Sequence, residues 1–540
     1  MIFLRKNYFI LIILIFSIFY LFSAWVADDA YITFRTIENF HNGYGLRWNV
    51  VERVQSYTHP LWMINLLIGK YIVDDLYYLC LILGFFYTVL TIYITYLLSV
   101  ENIFNFTLGV LILFSSKAAL DFSSSGLENS LSYFLIACFF YTIVKLKKHS
   151  YFYLILSTIF SCMFLNRMDL IIPFLPFALY IFFYQAYQAN RLKKSTIQGF
   201  IGFIPVILWS VFALYYYGSF FANSVIAKTN TGLPTTHLQI QGFKYIYGNL
   251  IYDPFTSLFI YTTLTYSIFS KKHINKLLGF GLALYIFYLI QVGADYMYGR
   301  FLTIPFIISL FIVVTNLRET QRILKLALVL GLILSTYNLY QYTYKNIKNF
   351  EITNTNLTDE RAFYYPTTSL LLTLKGTNHN ISEHFLETQN LFKNPVNQPT
   401  VLHTMGFNGY IASKLFPEKH IVDTLGLTDA FLAAHPMKYG SWRIGHFPRA
   451  VNIEYLNSIE QNKNMITLPE DHMILNQIFL LTQAPLNDSR RLQAIIDWNN
   501  GVTFELAKHA FQYYPHNLLI QQNLDSKQNL WIPKNLNLKQ

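Results

Sequence analysis

Two adjacent carboxylates, Asp28 and Asp29, follow directly on an apolar run at residues 8–27. That run is long enough to cross a bilayer, since a membrane helix needs about 20 apolar residues. Charged groups at the end of such a run are costly to keep near hydrocarbon, and they often mark functional sites. A carboxylate placed there can accept a proton from a hydroxyl group. The alternative is that the pair only caps the helix that follows, where the helix dipole favours carboxylates.

Other ionisable residues also stand at the ends of apolar runs. Lys and Arg side chains in such positions can neutralise a phosphate as it leaves, and carboxylates can orient these cations or bind hydroxyl groups. For Arg167 with Asp169, and for Asp295 with Arg300, a purely structural ion pair is the alternative. The polar residues of this group are Asp121, Glu128, Arg167, Asp169, Asn223, Lys228, Asp295 and Arg300.

The polar loop 28–59 must position the first pair of carboxylates. Wound as a helix from Ala30, it separates apolar from polar side chains at helical spacing. We therefore expect an amphipathic helix at the membrane interface, ended by Gly43-Tyr44-Gly45. The apolar face would hold Ala30, Phe34, Ile37 and Phe40, and the opposite face would hold Arg35, Glu38 and Asn39.

The composition of the 540-residue chain is typical of an integral membrane protein. Hydrophobic residues make up 54% of it and charged residues only 13%, whereas soluble domains average about 25% charged residues. The net charge of +11 comes from short basic clusters between apolar runs, and we expect no nucleic-acid partner. Cys80, Cys138 and Cys162 all fall within apolar runs, so the sequence predicts no disulfide framework and no cysteine metal site.

Eleven apolar runs are predicted to cross the membrane, with the N-terminus on the cytoplasmic side. We interpret the first run, which follows Arg5 and Lys6, as an uncleaved signal anchor. The basic clusters alternate between loops, and the positive-inside rule then fixes the orientation. A further run at 103–114 would reverse this order if it spanned, so we expect a half-helix or re-entrant segment there. The spanning runs lie at about 8–26, 60–73, 76–98, 130–145, 151–165, 171–187, 197–217, 254–270, 277–292, 301–317 and 323–343.

The composition changes near residue 345, where we place the domain boundary. Residues 1–345 would form the transmembrane domain, and residues 346–540, which hold no spanning run, would form a periplasmic domain. Within it, short strands at 399–403 and 420–423 enclose a helix at 408–416. This order predicts a small α/β unit.

The first polar loop resembles that of a known family, the AftB-type terminal arabinofuranosyltransferases, which belong to the GT-C superfamily. Related LphB-type membrane proteins share the same loop. The likeness lies in Asp28-Asp29-Ala30-Tyr31-Ile32-Thr33-Phe34-Arg35, Gly43-Tyr44-Gly45-Leu46-Arg47-Trp48-Asn49, Glu52-Arg53-Val54 and Tyr57-Thr58-His59-Pro60-Leu61-Trp62.

Shorter matches to the same family follow in the same order along the chain. This chain departs from the family pattern at Met168, Leu170 and Ala294, where the family has Pro, Gly and Gly. The matching segments are Gly126-Leu127-Glu128-Asn129, Arg167-Met168-Asp169-Leu170, Asn223 through Lys228, Gly293-Ala294-Asp295-Tyr296-Met297 with Arg300-Phe301, Val422 through Asp429, and Arg443-Ile444-Gly445-His446.

The resemblance implies an α-helical polytopic membrane protein with the GT-C fold, set in the bacterial inner membrane. It implies an inverting glycosyltransferase that moves a sugar, arabinofuranose, from a polyprenyl phosphate to an acceptor hydroxyl outside the cytoplasm. The acceptor would be a glycan, a glycolipid or a protein. No cofactor is expected because cations can neutralise the phosphate, and a divalent metal held by the many carboxylates is the alternative.

The resemblance also implies roles for individual residues. Asp28 or Asp29 would be the catalytic base, with a slight preference for Asp29, and the donor phosphate would be bound by Arg167, Lys228 and Arg300. The residues expected to bind sugar or acceptor, or to orient the others, are Arg35, Glu52, Tyr57, His59, Glu128, Asp169, Asn223, Asp295, Asp423, Arg443 and His446.

Two other functions stay open at this point. A transporter or flippase for a lipid-linked sugar would need a polar path through the middle of the helices, whereas the polar groups here gather at one end. A glycan ligase would use a diphosphate-linked donor in place of a monophosphate.

Overall fold

The computed structural model describes residues 2–99, 103–316, 356–376, 401–404, 408–413, 415, 417–438, 440 and 442–512, together with 330, 333–334 and 336–337. The described chain is mostly helical. It divides into two compact units. The first is Met1–Ala30, His59–Leu208 and Thr235–Ile381, and the second is Tyr31–Thr58, Trp209–Pro234 and Ser382–Gln540.

Helices make up nearly all the regular structure before residue 376. The helix α9 is continuous but passes through 3₁₀, α and π turns. The helices are α1 (Ile2–Ser23), α2 (Asp28–His41), α3 (Pro60–Gly69), α4 (Leu76–Leu98), α5 (Ile103–Ser115), α6 (Lys117–Asp121), α7 (Asn129–Lys145), α8 (Phe152–Asn166), α9 (Met168–Gln188), α10 (Leu192–Gly202), α11 (Ile204–Tyr216), α12 (Asn223–Thr229), α13 (Thr235–Tyr252), α14 (Pro254–Ile268), α15 (His273–Val292), α16 (Thr303–Asn316), α17 (Glu360–Thr368) and α18 (Leu370–Lys375).

Several of these helices are suited to a membrane. Among the described residues, α4, α9 and α15 are each long and apolar enough to cross one. Two bent pairs, α1 with α2 and α10 with α11, bring the number to five if each pair is one span. Shorter apolar helices are α3, α5, α7, α8 and α16. The predicted count of eleven spans stays a prediction, and the run at 323–343 lies outside the continuously described chain.

The apolar runs predicted the helix positions closely. Each run up to 301–317 coincides with a helix, and the run at 197–217 is divided between α10 and α11. Helix α5 has 13 residues, or about 20 Å at 1.5 Å per residue. It is therefore shorter than the hydrocarbon core of about 30 Å, and its predicted re-entrant role stays a prediction.

The segment between the apolar runs 197–217 and 254–270 contains α12 and the 18-residue helix α13, which the sequence analysis did not predict. Helix α13 packs on α14 and α15. Its Gly242 lies against the backbone of Ile290, where a Cβ atom would come within 2.6 Å of the Ile290 Cα. Small residues of this kind allow apolar helices to approach closely.

Residues just beyond the predicted domain boundary fold with the first unit. The guanidinium of Arg361 in α17 donates to the carbonyl of Ser23 at 2.9 Å. The backbone N–H of Leu370 donates to the carbonyl of Ala24 at 3.0 Å. The two units therefore do not divide at residues 345 and 346, and the assignment of transmembrane and periplasmic domains stays a prediction.

The second unit contains a two-stranded parallel sheet and several helices. Val401 pairs with His420 and Thr404 with Asp423, so the predicted order of strand, helix and strand is confirmed with small shifts at the ends. The other regular elements described in its C-terminal part are helices, and the predicted C-terminal α/β domain stays a prediction. The elements are β1 (Val401–Thr404), α19 (Asn408–Ser413), β2 (His420–Asp423), α20 (Ala430–Ala434), α21 (Ile453–Glu460), α22 (Pro469–Thr482), α23 (Arg490–Asn499) and α24 (Val502–Gln512).

Helix α2 is present where the sequence predicts it, but its predicted polar face is wrong. Arg35 is only 3% exposed and Asn39 is also buried, whereas Phe40, on the predicted buried face, is 37% exposed. The Arg35 guanidinium donates to the carbonyls of Trp48 at 3.1 Å and Ala412 at 2.7 Å. Backbone carbonyls from distant parts of the second unit thus replace the water that an interfacial face would meet.

Candidate functional site

Arg300 lies at the centre of a charged cluster in the first unit, in the turn between α15 and α16. Its Nη1 is 3.4 Å from Asp29 Oδ2 and 3.6 Å from Asp295 Oδ2, and its Nη2 is 3.5 Å from Glu128 Oε1. The side chain is 12% exposed. Burial opposes its charge, but Glu128, Asp295 and Asp29 outweigh burial and raise the Arg300 pKa. The guanidinium is therefore held as a cation by three carboxylates.

Glu128 connects this arginine to a second one. It immediately precedes α7, and its side chain is 3% exposed. Its Oε1 also lies 3.6 Å from Arg167 Nη1, and its Oε2 lies 3.5 Å from His59 Nδ1. Burial would raise the pKa of this carboxyl, but Arg300 and the other cations lower it to about 2. Glu128 is thus ionised at any physiological pH.

Arg167, between α8 and α9, is held more tightly than Arg300. Its Nε and Nη2 donate to the two oxygens of Asp169 at 3.0 and 2.7 Å. Tyr285 in α15 donates its hydroxyl to Asp169 Oδ2 at 2.9 Å. The guanidinium carbon also lies 4.5 Å from the centre of the Phe301 ring, a cation–π distance. The ion pair between Arg167 and Asp169 considered from the sequence is confirmed.

Asp28 and Asp29 form the first turn of α2, as the cap interpretation of the sequence also requires. The preceding segment is fixed, since the Ala27 N–H donates to the Ser125 carbonyl at 2.9 Å. The Asp29 side chain is 29% exposed, so a ligand can reach it.

Burial, and then the charge of Asp28, raise the pKa of Tyr364 in α17. Sequence reasoning missed Tyr364, because its position beside the aspartates comes from the packing of residues 356–376.

His59 belongs to the same cluster and immediately precedes α3. Burial lowers its pKa, and the neighbouring Glu128 opposes this shift. We therefore expect a neutral imidazole at neutral pH. It adds little charge to the cluster in that state.

The cluster contains more carboxylates than cations. Among the described residues, four carboxylates contact the two arginines Arg167 and Arg300, and these are Asp29, Glu128, Asp169 and Asp295. The contacts of Arg300 with its carboxylates, at 3.4–3.6 Å, are longer than the roughly 2.7–2.9 Å of a direct charged hydrogen bond. Among the described residues, four buried polar atoms on the arginines and acidic residues of the cluster have no hydrogen-bond partner. They are Arg300 Nε, Arg167 Nη1, Glu128 Oε2 and Asp295 Oδ2.

This geometry leaves hydrogen-bonding capacity for a ligand. A buried donor without a partner costs free energy, which a bound anion or water would relieve. In the part of the chain that the structure describes, no three His, Cys, Asp or Glu side chains are grouped so as to hold a metal ion. The cluster can therefore offer a carboxylate base together with guanidinium groups for an anionic ligand.

Other residues predicted for the site lie in the second unit, where several have structural partners. Glu52 accepts a hydrogen bond from Asn49 Nδ2 at 2.9 Å. Burial, and then the charge of Asp429, raise its pKa to about 8. The hydroxyl groups of Tyr57 and Tyr217 lie 2.9 Å apart. With Arg35, these residues hold the first polar loop within the second unit, and their predicted ligand roles stay predictions.

Asn223 and Asp423 are also occupied by the backbone of the second unit. The Asn223 amide donates to the carbonyls of Gly426 and Asp429 at 2.8 and 3.2 Å. Asp423 accepts from the N–H groups of Leu425 and Thr428 at 2.9 and 3.0 Å. These contacts fix the turn that follows β2, and a role toward sugar or acceptor stays a prediction.

Lys228, Arg443 and His446 form a basic group in the second unit. Burial lowers the pKa of His446, and the charges of Arg443 and then Lys228 lower it further. Lys228 is exposed at the end of α12. The structure thus brings these three predicted residues within electrostatic range of one another. A shared site with Asp29 and Arg300 stays a prediction.

Comparison of the chain with models of protein families, with curated proteins and with solved structures found no significant match. The family resemblance therefore rests on the motifs quoted above.

Proposed function

We propose that this protein is a membrane glycosyltransferase of the GT-C type, which transfers arabinofuranose from a polyprenyl phosphate to an acceptor hydroxyl outside the cytoplasm. The observation that carries the proposal is the position of Arg300, within 3.6 Å of Asp29, Asp295 and Glu128. A carboxylate that can act as a base and a guanidinium that can bind phosphate are therefore in contact.

In the proposed reaction, the acceptor oxygen attacks the anomeric carbon of the sugar as the bond from that carbon to the phosphate oxygen breaks. Asp29 accepts the acceptor's proton, and polyprenyl phosphate leaves with the bonding electron pair. Arg300 and Arg167 stabilise the negative charge that develops on the leaving oxygen, as preorganised donors do in other transfer reactions. A single displacement of this kind inverts the anomeric centre.

Asp29 suits the base better than Asp28 in this proposal. Its carboxylate contacts Arg300 directly, so it lies beside the cation that would bind the donor phosphate. It is also partly exposed, as a group that meets an acceptor must be. The charge of Asp28 acts on Tyr364 more strongly than that of Asp29 does, and we assign Asp28 to orienting the acceptor.

The apolar helices support a lipid-linked donor. Glu128, Arg167 and Arg300 stand at the ends of α7, α8 and α16, where a phosphate headgroup would lie if its prenyl chain followed the helices. We propose the bacterial inner membrane as the location, with eleven spans and the C-terminal part in the periplasm. The acceptor would be a glycan, a glycolipid or a protein there.

Mass spectrometry of lipid co-purified with the full-length protein tests the donor class. We expect a polyprenyl monophosphate, free or carrying a pentose, and an Arg300→Gln variant should retain less of it. A diphosphate-linked glycan would instead favour a ligase and contradict the proposal. Movement of intact lipid-linked sugar across proteoliposomes, without transfer, would favour a flippase and contradict it as well.

A further inference from the structure

The two arginines of the cluster differ in how firmly they are held. Arg167 makes two direct hydrogen bonds to Asp169, and the hydroxyl of Tyr285 donates a further hydrogen bond to the same carboxylate. Among the described residues, Arg300 instead contacts its carboxylates at 3.4–3.6 Å and Met297 Sδ at 3.7 Å, and its buried Nε has no hydrogen-bond partner there. Arg167 is thus preorganised, whereas Arg300 can change partners at small cost.

We propose that an incoming phosphate competes with Asp29 and Asp295 for Arg300, so that binding of the donor releases the base. This inference rests on the proposed function. In the empty site, the Arg300 guanidinium lies 3.4 Å from Asp29 Oδ2 and occupies that carboxylate oxygen. When the guanidinium turns to a phosphate, this contact is lost. Asp29 Oδ2 is thus open to the acceptor hydroxyl only when a donor is present.

The balance of charges in the cluster indicates that a phosphate must compete with the carboxylates for Arg300, and is not simply attracted to an unoccupied cation. Because four carboxylates contact only two guanidinium groups among the described residues of the cluster, a phosphate can be bound there only if a guanidinium turns from its carboxylates toward it. Loss of one competing carboxylate should therefore strengthen phosphate binding, even where it abolishes transfer. If donor binding is required to release Asp29 in this way, Asp29 takes a proton from the acceptor mainly when a donor is bound.

Titration calorimetry on purified full-length protein tests this directly, with farnesyl phosphate and inorganic phosphate as probes. We expect Asp29→Asn and Asp295→Asn to bind farnesyl phosphate about three- to tenfold more tightly than the wild type, a gain of the size that a partly buried ion pair supplies. The exposed Asp74, paired with Lys70, provides a control, since Asp74→Asn should leave binding unchanged. Tight binding of farnesyl phosphate but not of inorganic phosphate would identify a lipid headgroup as the ligand.

A double-mutant cycle assigns the gain to Arg300. In an Arg300→Gln background, Asp29→Asn should no longer strengthen binding, because the shared partner is gone. If Asp29→Asn and Asp295→Asn bind no more tightly than the wild type, or if the gain persists without Arg300, competition is overturned while the phosphate site stands. If neither probe binds the wild type, the proposed function itself fails.

Discussion

The guanidinium of Arg300 lies 3.4 Å from the carboxylate of Asp29, joining the turn after α15 to the first turn of α2. Because Arg300 would also bind the leaving phosphate, we expect Arg300→Gln to lower kcat by about 10²- to 10³-fold, as loss of one stabilising donor does elsewhere. Arg300→Lys should recover part of this loss, since Lys keeps the charge but not the planar fork. Steady-state transfer assays measure both values, and wild-type kcat in Arg300→Gln would contradict the role.

Tyr285 is expected to act through Asp169 on Arg167. Removal of its hydroxyl in Tyr285→Phe leaves one Asp169 oxygen without that donor, and we expect a rise in the donor KM of about tenfold. The matched control is Tyr288→Phe on the same helix, since the described structure shows no hydrogen bond from Tyr288 to Asp169. Equal effects of the two substitutions would argue against the positioning role.

Glu128 should make the stability of the protein depend on acidic pH. Its pKa in the fold is about 2, whereas an unfolded glutamate titrates near about 4.3. The resulting stabilisation is fully present above the unfolded value and is lost as pH falls toward 2. We expect Glu128→Gln to lower the melting temperature at pH 7, with a smaller difference from the wild type at pH 3. Thermal unfolding in detergent measures this, and a difference independent of pH would contradict it.

Ala294 has a positive backbone φ of +54° next to Asp295, in the turn that carries Arg300. A β-branched residue is strongly disfavoured in that region, so Ala294→Val should destabilise the protein by about 1–3 kcal/mol. The free energy of unfolding of Ala294→Gly should remain within about 1 kcal/mol of the wild-type value. Glycine relieves the backbone strain, but it also gives the unfolded chain greater freedom. Chemical unfolding of both variants tests this, and equal stabilities would show that the conformation carries no strain.

Much of the helical framework could be predicted from the sequence. Long apolar runs can satisfy their backbone only as helices in an apolar environment, so their positions were clear. The helix that begins at Asp28 was also predicted, from side-chain spacing. Helix α13 was missed because its sequence mixes polar and apolar residues without a spanning run, and its position depends on contacts with α14 and α15.

The site was predicted only as a set of residue types at the ends of apolar runs. Glu128 contacts both Arg167 and Arg300 because of how the helices pack. The spacing of these residues along the chain does not predict that packing. The buried position of Arg35 likewise depends on carbonyls near residue 412. No local pattern identified Tyr285, because a tyrosine on an apolar helix is indistinguishable from an ordinary core residue until its partner is known.

The central claim is that Asp29 is the base of a sugar transfer from a polyprenyl phosphate. The direct measurement is release of polyprenyl phosphate from synthetic polyprenyl-phosphate arabinofuranose by the protein in proteoliposomes, with glycan acceptors supplied outside. We expect turnover by the wild type and a loss of about 10²- to 10⁴-fold in Asp29→Asn, the range for removal of a general base. Wild-type turnover in Asp29→Asn, or no turnover by the wild type with any acceptor, would contradict the account.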